Sequence, residues 1–311
     1  MPCCCSGGHR LKYATPGRAP PDPQLFPHYM QNAQNLWLHF NEWWPHGDGG
    51  SCPTPPIKGV IFIVPGLGEH TGRYDSVALR LNQEGYVVFS MDNQGTGGSE
   101  GERLYVERFT HFVDDVCAFI LFIQTRYPAL KSQPTFLMGH SMGGLIAVLV
   151  AERDASGFRG VVLSGPALGL STPVPRFMRS LAGFLSKWFP KVPVRKLNPK
   201  LVSYNTPVVQ LVQQDPFYSN AMLRARFVDE MLNAQDRAAE AASTAKFPFL
   251  IVHGEKDELC SLEMSKCFFE NALSLDKHLA SYHRAGHEVL TELCRDEVMA
   301  DVMKFINERA G

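Results

Sequence analysis

Thr135-Phe136-Leu137-Met138-Gly139-His140-Ser141-Met142-Gly143-Gly144-Leu145-Ile146-Ala147-Val148-Leu149-Val150-Ala151 decides the fold. It opens on a short apolar run of the kind that forms a strand buried on both faces. It closes on a longer apolar run that suits a buried helix. Between them stands Gly139-His140-Ser141-Met142-Gly143, a match to G-x-S-x-G. Strand, sharp turn and helix in that order are what a nucleophile elbow needs, because the two glycines permit a strained turn in which larger residues would clash. Ser141 is then lifted above the sheet, and the helix behind it points its positive end at any anion forming there. A glycine-rich turn that merely holds a serine is the plain alternative, and the correct flanks on both sides weigh against it.

The same rhythm repeats outward from this stretch. Short apolar runs occupy residues 57–64, 86–91, 160–164 and 249–252, with a weaker one at 279–282. Helical spacing appears between them: Phe112, Val116, Phe119, Ile120 and Ile123 within 108–127, and Val298, Val302, Phe305 and Ile306 within 296–309. Strands alternating with helices predict an α/β fold with a mostly parallel, doubly wound sheet and helices on both faces. Ahead of it, Leu36, Leu38 and Phe40 alternate with Trp37, His39 and Asn41, and Asn32 to Asn35 supply the turn of a hairpin. Residues 167–246 hold no clear strand and are too long for an ordinary connection, which marks an inserted helical cap. The expected organisation is a Pro- and Gly-rich, disordered leader at 1–27, a core in two parts at 28–166 and 247–311, and the cap between them.

A serine hydroxyl is a poor nucleophile until a base removes its proton. In a strand-ordered site of this type the chain order is Ser, then Asp or Glu, then His. The run 249–252 leads into His253-Gly254-Glu255-Lys256-Asp257. Asp257 is the expected acid. Glu255 is its rival but leaves less loop to turn inward, and a helix-capping role ahead of Ser261 is the structural alternative for Asp257. After 279–282 comes His283-Arg284-Ala285-Gly286-His287-Glu288, and His287, on a loop before the last helix, is the expected base. His283 and His253 are expected to be packed or surface histidines. The amide of Met142, next after the nucleophile, and that of Leu67, in Val64-Pro65-Gly66-Leu67-Gly68-Glu69-His70, are the expected oxyanion donors. The Gly-rich run 92–99 lacks the final glycine and the opening helix of a dinucleotide loop.

These residues resemble the monoacylglycerol lipase family and the related lysophospholipase branch of the α/β-hydrolases. The resemblance runs from about Met30 to the end of the chain and is carried by GLGEHTGRY (66–74), GTGGSEGER (95–103), GHSMGG (139–144), GEKDELC (254–260) and AGHEVLTE (285–292). It implies the α/β-hydrolase fold and places its triad on Ser141, Asp257 and His287 and its oxyanion donors on Leu67 and Met142. It also places a cysteine near the acyl tunnel at Cys260, and its lid between Pro166 and Phe247. Two histidines usual in the family are absent: Pro65-Gly66 stands for His-Gly, and Gly95-Thr96-Gly97 for Gly-His-Gly. The expected activity is hydrolysis of carboxylic esters of monoacylglycerols or lysophospholipids through an acyl-enzyme on Ser141, with no cofactor and no metal. A peptidase of the same fold and a non-enzymatic binding protein are the alternatives.

Composition bounds the partners. The 311 residues are 45% hydrophobic, and 30 Lys plus Arg against 31 Asp plus Glu leave a formal charge of -1. That balance argues against nucleic acid, whose binders carry a basic excess. The eight cysteines include no CxxC pair and no zinc spacing. The opening MPCCCSGGHR lacks the apolar run of a secretory signal, and no stretch approaches the ~20 apolar residues that span a bilayer. The expected localisation is cytoplasmic, at most peripheral on a membrane. Two features favour the periphery. Cys3, Cys4 and Cys5 are candidate S-palmitoylation sites, since Pro2 rules out myristoylation. In 176–191, Phe177, Leu181, Phe184, Leu185 and Trp188 recur at helical spacing, widened by Met178, Ala182 and Phe189 and flanked by Arg176, Arg179, Lys187 and Lys191. Phe184 and Trp188 are the expected lipid- or substrate-contacting residues of a lid. Oligomeric state is not readable from the chain.

Overall fold

The computed structural model describes residues 27–45, 56–196 and 198–311. The leader cysteines lie outside the described residues. β1 (Tyr29–Gln31) and β2 (Trp37–Trp43) form the expected hairpin. Asn32 drives its turn: the side-chain oxygen accepts from the Gln34 and Leu36 amides, and Asn35 takes φ 60°. β3 (Gly59–Val64), α1 (Asp75–Gln83), β4 (Tyr86–Met91), α2 (Thr110–Arg126), β5 (Thr135–His140), α3 (Met142–Arg153) and β6 (Gly160–Ser164) follow. After the insertion come β9 (Phe249–Gly254), α7 (Leu262–Asn271), β10 (Lys277–Tyr282) and α8 (Arg295–Ala310). The eight strands run in the order β1-β2-β4-β3-β5-β6-β9-β10. β1 and β2 are antiparallel to their neighbours and all other pairs are parallel.

The nearly continuous apolar strands follow from helices on both faces. On β3, Val60, Phe62 and Val64 enter one core with residues of α2 and α3, while Ile61 and Ile63 enter the other with residues of α1 and α8. β4, β5, β6 and β9 divide in the same way; on β9, Phe249 and Ile251 face α7, and Leu250 and Val252 face α8. Most positions are therefore apolar, each fully buried large side chain being worth about 1.5–3 kcal/mol of transfer free energy, and the polar exceptions such as Ser90 and His253 are hydrogen-bonded. Most of α3 lies inside, with Leu145, Ile146, Ala147 and Val148 buried together, which is why its sequence shows no polar face before Glu152 and Arg153 in its last turn.

The insertion holds α4 (Arg176–Trp188), β7 (Pro193–Arg195), α5 (Thr206–Gln214), β8 (Leu223–Arg224) and α6 (Ala225–Ala242). β7 and β8 pair as a two-stranded ribbon, a piece of strand the apolar pattern does not reveal because all three β7 residues are exposed. α6 belongs to the core layer: Phe227, Ala234, Ala238 and Ala242 are buried in the same cluster as α3. α4 lies on α6 through its small and polar side, where Ser186 is buried and Arg179 pairs with Asp236 at 2.6 Å. Its apolar face points outward. Phe177 is 71% exposed, Phe184 56% and Trp188 62%. Among the described residues, no helix is long and apolar enough to cross a membrane.

Candidate active site

The elbow is built by backbone proximity. A Cβ on Gly139 would stand 2.2 Å from the Gly143 oxygen, and one on Gly143 would stand 2.0 Å from the Val64 oxygen. Only glycine lets β5, α3 and the end of β3 approach so closely. Ser141, at the turn, holds φ 54° and ψ −118°, a region that side-chain-bearing residues rarely enter. Its carbonyl accepts from the Gly144, Leu145 and Ala167 amides, which locks the strained backbone in place. Among the described residues, neither the Leu67 nor the Met142 amide donates to a protein acceptor. Both belong to the walls around Ser141: Leu67 lines the cavity, and Met142 opens α3.

Asp257 and His287 meet although 30 residues separate them. The Asp257 Oδ2 lies 2.7 Å from His287 Nδ1. Asp257 Oδ1 accepts from the Leu259 and Cys260 amides at 2.8 and 2.9 Å, which turns the carboxylate toward the histidine. The helix-capping role belongs instead to Ser261, whose Oγ accepts from the Met264 amide. The rivals exclude themselves: Glu255 and His283 pair with each other at 2.9 Å on the surface. His253 is fully buried, bonded to Ser265 Oγ and 3.2 Å from Asp257 Oδ2, so it braces the acid from behind.

Burial opposes charge on both members of the Asp257–His287 pair. The Asp257 carboxyl is nevertheless held well below the usual carboxylate range, by His287 and by hydrogen bonds from His253 and His287. Burial disfavours the His287 imidazolium too, yet Cys260 and Asp257 raise its pKa well above the ordinary value. Burial also pushes the Cys260 thiol up, so at neutral pH its sulfur carries no charge, and the lasting support for the imidazolium is Asp257. The Cys260 sulfur lies within 4.8 Å of an Asp257 carboxylate oxygen and a His287 ring nitrogen, and Cys260 lines the same cavity as Ser141.

Ser141, His287, Cys260, Leu67 and Gly66 line one cavity of about 270 Å³, whose far walls are apolar side chains such as Leu223 and Phe227. Phe184 and Trp188 are not among its lining residues; they stand on the outer face of α4. A second layer of charge, not legible as a site in the chain, surrounds the loop of Gly66 and Leu67. Glu69 accepts from the Gly66 amide and the Tyr74 hydroxyl, both at 2.7 Å, and from Arg73 at 3.0 Å. Arg73 forks onto both oxygens of Glu288, the residue after His287, at 2.8 and 2.7 Å. Burial disfavours charge on Glu69, but His140, Arg73 and its hydrogen bonds hold its carboxyl down at about 2. Burial pushes Glu288 up to about 7 against the pull of Arg73, and burial drops His140 to about 4, leaving it neutral. The runs GLGEHTGRY and AGHEVLTE contain these residues, but only their proximity in space shows that they form one network.

The comparisons with known proteins agree with this architecture. A family profile described as "Serine aminopeptidase, S33" matches residues 55–294. The monoglyceride lipase of Homo sapiens is 36% identical over 297 residues, covering 93% of this chain and 94% of that protein. The monoglyceride lipase of Rattus norvegicus is 34% identical over 297 residues, covering 94% and 93%. The crystal structure of the Paleococcus ferrophilus monoacylglycerol lipase superposes with a TM-score of 0.76 at 27% identity, covering 88% of this chain and 99% of that one. The chain therefore belongs to the monoacylglycerol lipase family of the α/β-hydrolases, among the carboxylic ester hydrolases.

Proposed function

We propose that the protein hydrolyses the ester bond of monoacylglycerols through an acyl-enzyme on Ser141. The observation that carries this reading is the strained Ser141, which shares one largely apolar cavity with a His287 already bonded to Asp257. In the reaction, His287 Nε2 takes the Ser141 proton as Oγ attacks the ester carbonyl. Asp257, held by two backbone amides, fixes the tautomer with hydrogen on Nδ1 and stabilises the imidazolium. The Met142 and Leu67 amides, free of protein acceptors among the described residues, receive the oxyanion. His287 then returns the proton to the glyceryl oxygen, the alcohol leaves, and water repeats the sequence on the acyl-enzyme. The apolar walls suit an acyl chain.

A peptidase reading would need a carboxylate to hold the substrate ammonium. Glu69 and Glu288 are taken by Arg73, and Glu258 accepts from the Tyr204 hydroxyl. That engagement supports the ester. The lid belongs to the same proposal. The outward apolar face of α4, with Arg176 and Lys187 beside it, is the surface that rests on lipid, and Phe184 and Trp188 are its contact residues. Acylation of Cys3, Cys4 and Cys5 would add a second anchor, of the kind that stable peripheral attachment requires.

The test is a fluorophosphonate label combined with parallel turnover of a glyceryl monoester, a lysophospholipid and an aminoacyl amide. Ser141→Ala should lose both labelling and turnover. Turnover by Ser141→Ala, or preference for the amide, would refute the reading; faster turnover of the lysophospholipid would move it to the lysophospholipase branch.

A further inference from the structure

Glu292 lies in the first turn after the His287 loop and is buried, with 1% of its surface exposed. A buried carboxylate is expensive unless its oxygens are satisfied. One oxygen of Glu292 does all the bonding. Oε1 accepts from Ser203 Oγ at 3.0 Å, from the Tyr204 amide at 2.8 Å and from the Gly286 amide at 3.2 Å. Oε2 is buried and has no hydrogen-bond partner among the described residues. Two of the three donors belong to the insertion, and the third is the residue directly before His287.

The neighbours extend this junction. The Glu288 amide donates to the Val202 oxygen at 2.9 Å, and Asn205 Nδ2 donates to the Thr291 oxygen at 3.0 Å. Tyr204 also reaches the other arm of the site, its hydroxyl donating to Glu258 at 2.9 Å, beside Asp257. A Cβ on Gly286 would meet the Tyr204 ring at 2.9 Å and Glu292 Oε1 at 3.0 Å, so the insertion is seated directly against the backbone that carries the base. Residues 202–205 thus brace the His287 loop and the Asp257 loop at once. Val202, Glu258 and Glu288 also line the cavity, so the same junction walls the site and braces its loops.

We propose that Glu292 is a positioning residue for His287. Through Oε1 it joins the insertion's Ser203–Tyr204 backbone to the Gly286 amide, and so sets the distance between the base and Asp257. The insertion is then part of the catalytic frame as well as a cover: a shift of residues 202–205 is felt at the imidazole. This rests on the reading of Ser141, Asp257 and His287 as the triad.

The experiment compares Glu292→Ala, Glu292→Gln and Ser203→Ala/Asn205→Ala with wild type on a short soluble ester. A misplacement of about 1 Å at a reacting group costs on the order of a hundredfold. Glu292→Ala should lose about ten- to a hundredfold in kcat with KM within about twofold. The acid limb of its pH–rate profile should move to lower pH, because an imidazole held farther from Asp257 loses support for its proton. Glu292→Gln keeps the accepting oxygen and replaces only the unpartnered one, so it should restore most of kcat. Ser203→Ala/Asn205→Ala removes the insertion's two side-chain bonds to this junction and leaves the Glu292 side chain and its Tyr204 amide bond in place. It should shift the limb in the same direction, and it carries the test if Glu292→Ala does not fold. An unmoved acid limb, a loss confined to KM, or a Glu292→Gln as impaired as Glu292→Ala would overturn the proposal. Ser141→Ala, run beside these, separates the two readings: if it is inactive while Glu292→Ala behaves as wild type, only the positioning role falls. If Ser141→Ala is active, both fall.

Discussion

Adding one methyl group at Gly143 should disable the proposed oxyanion site while leaving the fold intact. The new Cβ in Gly143→Ala would stand 2.0 Å from the Val64 oxygen and 2.7 Å from the Pro65 oxygen. Ordinary contact begins near 3.4 Å, so the start of the oxyanion loop and the N-terminus of α3 must separate by about 1.4 Å. The methyl cannot turn away, because the clash is with backbone. That separation moves the Leu67 amide away from the Met142 amide, and a transition-state oxygen can then reach one of them only. Loss of a single oxyanion donor costs about 2.7–4 kcal/mol, or roughly 10²–10³ in kcat. Overpacking costs about 1–3 kcal/mol of stability, within the 5–15 kcal/mol of an ordinary domain. The assay is kcat and KM on a short soluble ester, with thermal melting to establish folding. Gly160→Ala is the control: its Cβ would press on the Phe305 ring at 2.6 Å, remote from Ser141, and should cost stability with kcat retained. A Gly143→Ala enzyme within about threefold of wild-type kcat would refute this account of the elbow.

Asp257→Asn should lower kcat by about 10⁴ through loss of the correct tautomer. Since Asp257 raises the His287 pKa, the acid limb of the residual activity should move to lower pH; an unmoved limb would mean that another group sets it. Phe184→Ser/Trp188→Ser should weaken binding to lipid vesicles and slow long-chain turnover while sparing a short soluble ester, and equal losses on both substrates would place these side chains in the fold's stability instead. Asp115 is bonded to Asn32 and Gln94, and burial lifts its pKa to about 7. The folded state therefore holds this proton more tightly than the unfolded chain. Asp115 should cost stability progressively as pH rises from about 4 to 7. Urea midpoints should fall across that window in wild type more steeply than in Asp115→Asn, and parallel slopes would refute the assignment.

How much of the site can be read from the chain depends on the range of the interactions that build it. The elbow is local: strand, glycine, serine, glycine and helix are contiguous, and each residue's backbone constraint shows in its identity. Asp257 and His287 are legible for a related reason, since each closes a parallel strand and parallel strands deliver their ends to the same edge of the sheet. Glu255 and His283 occupy the same loops, and the chain separates them from Asp257 and His287 only by loop length. The structure separates them by direction, outward to each other.

The chain by itself determined the alternation of buried strands and helices, the strained turn at Ser141 and the order of the residues that face it. Those follow from steric and hydrophobic rules that act within a few residues. Tertiary structure decided what periodicity cannot encode. An apolar stripe such as that of α4 shows that a face exists, not what lies against it, and here its small and polar side meets α6 while the aromatic side is left outward. Arg73 and Glu288 stand 215 positions apart, and Ser203 and Glu292 stand 89 apart. Such pairs are made by the sheet that gathers their loops at one edge, and a polar residue's identity carries no record of the distant partner that makes its burial tolerable.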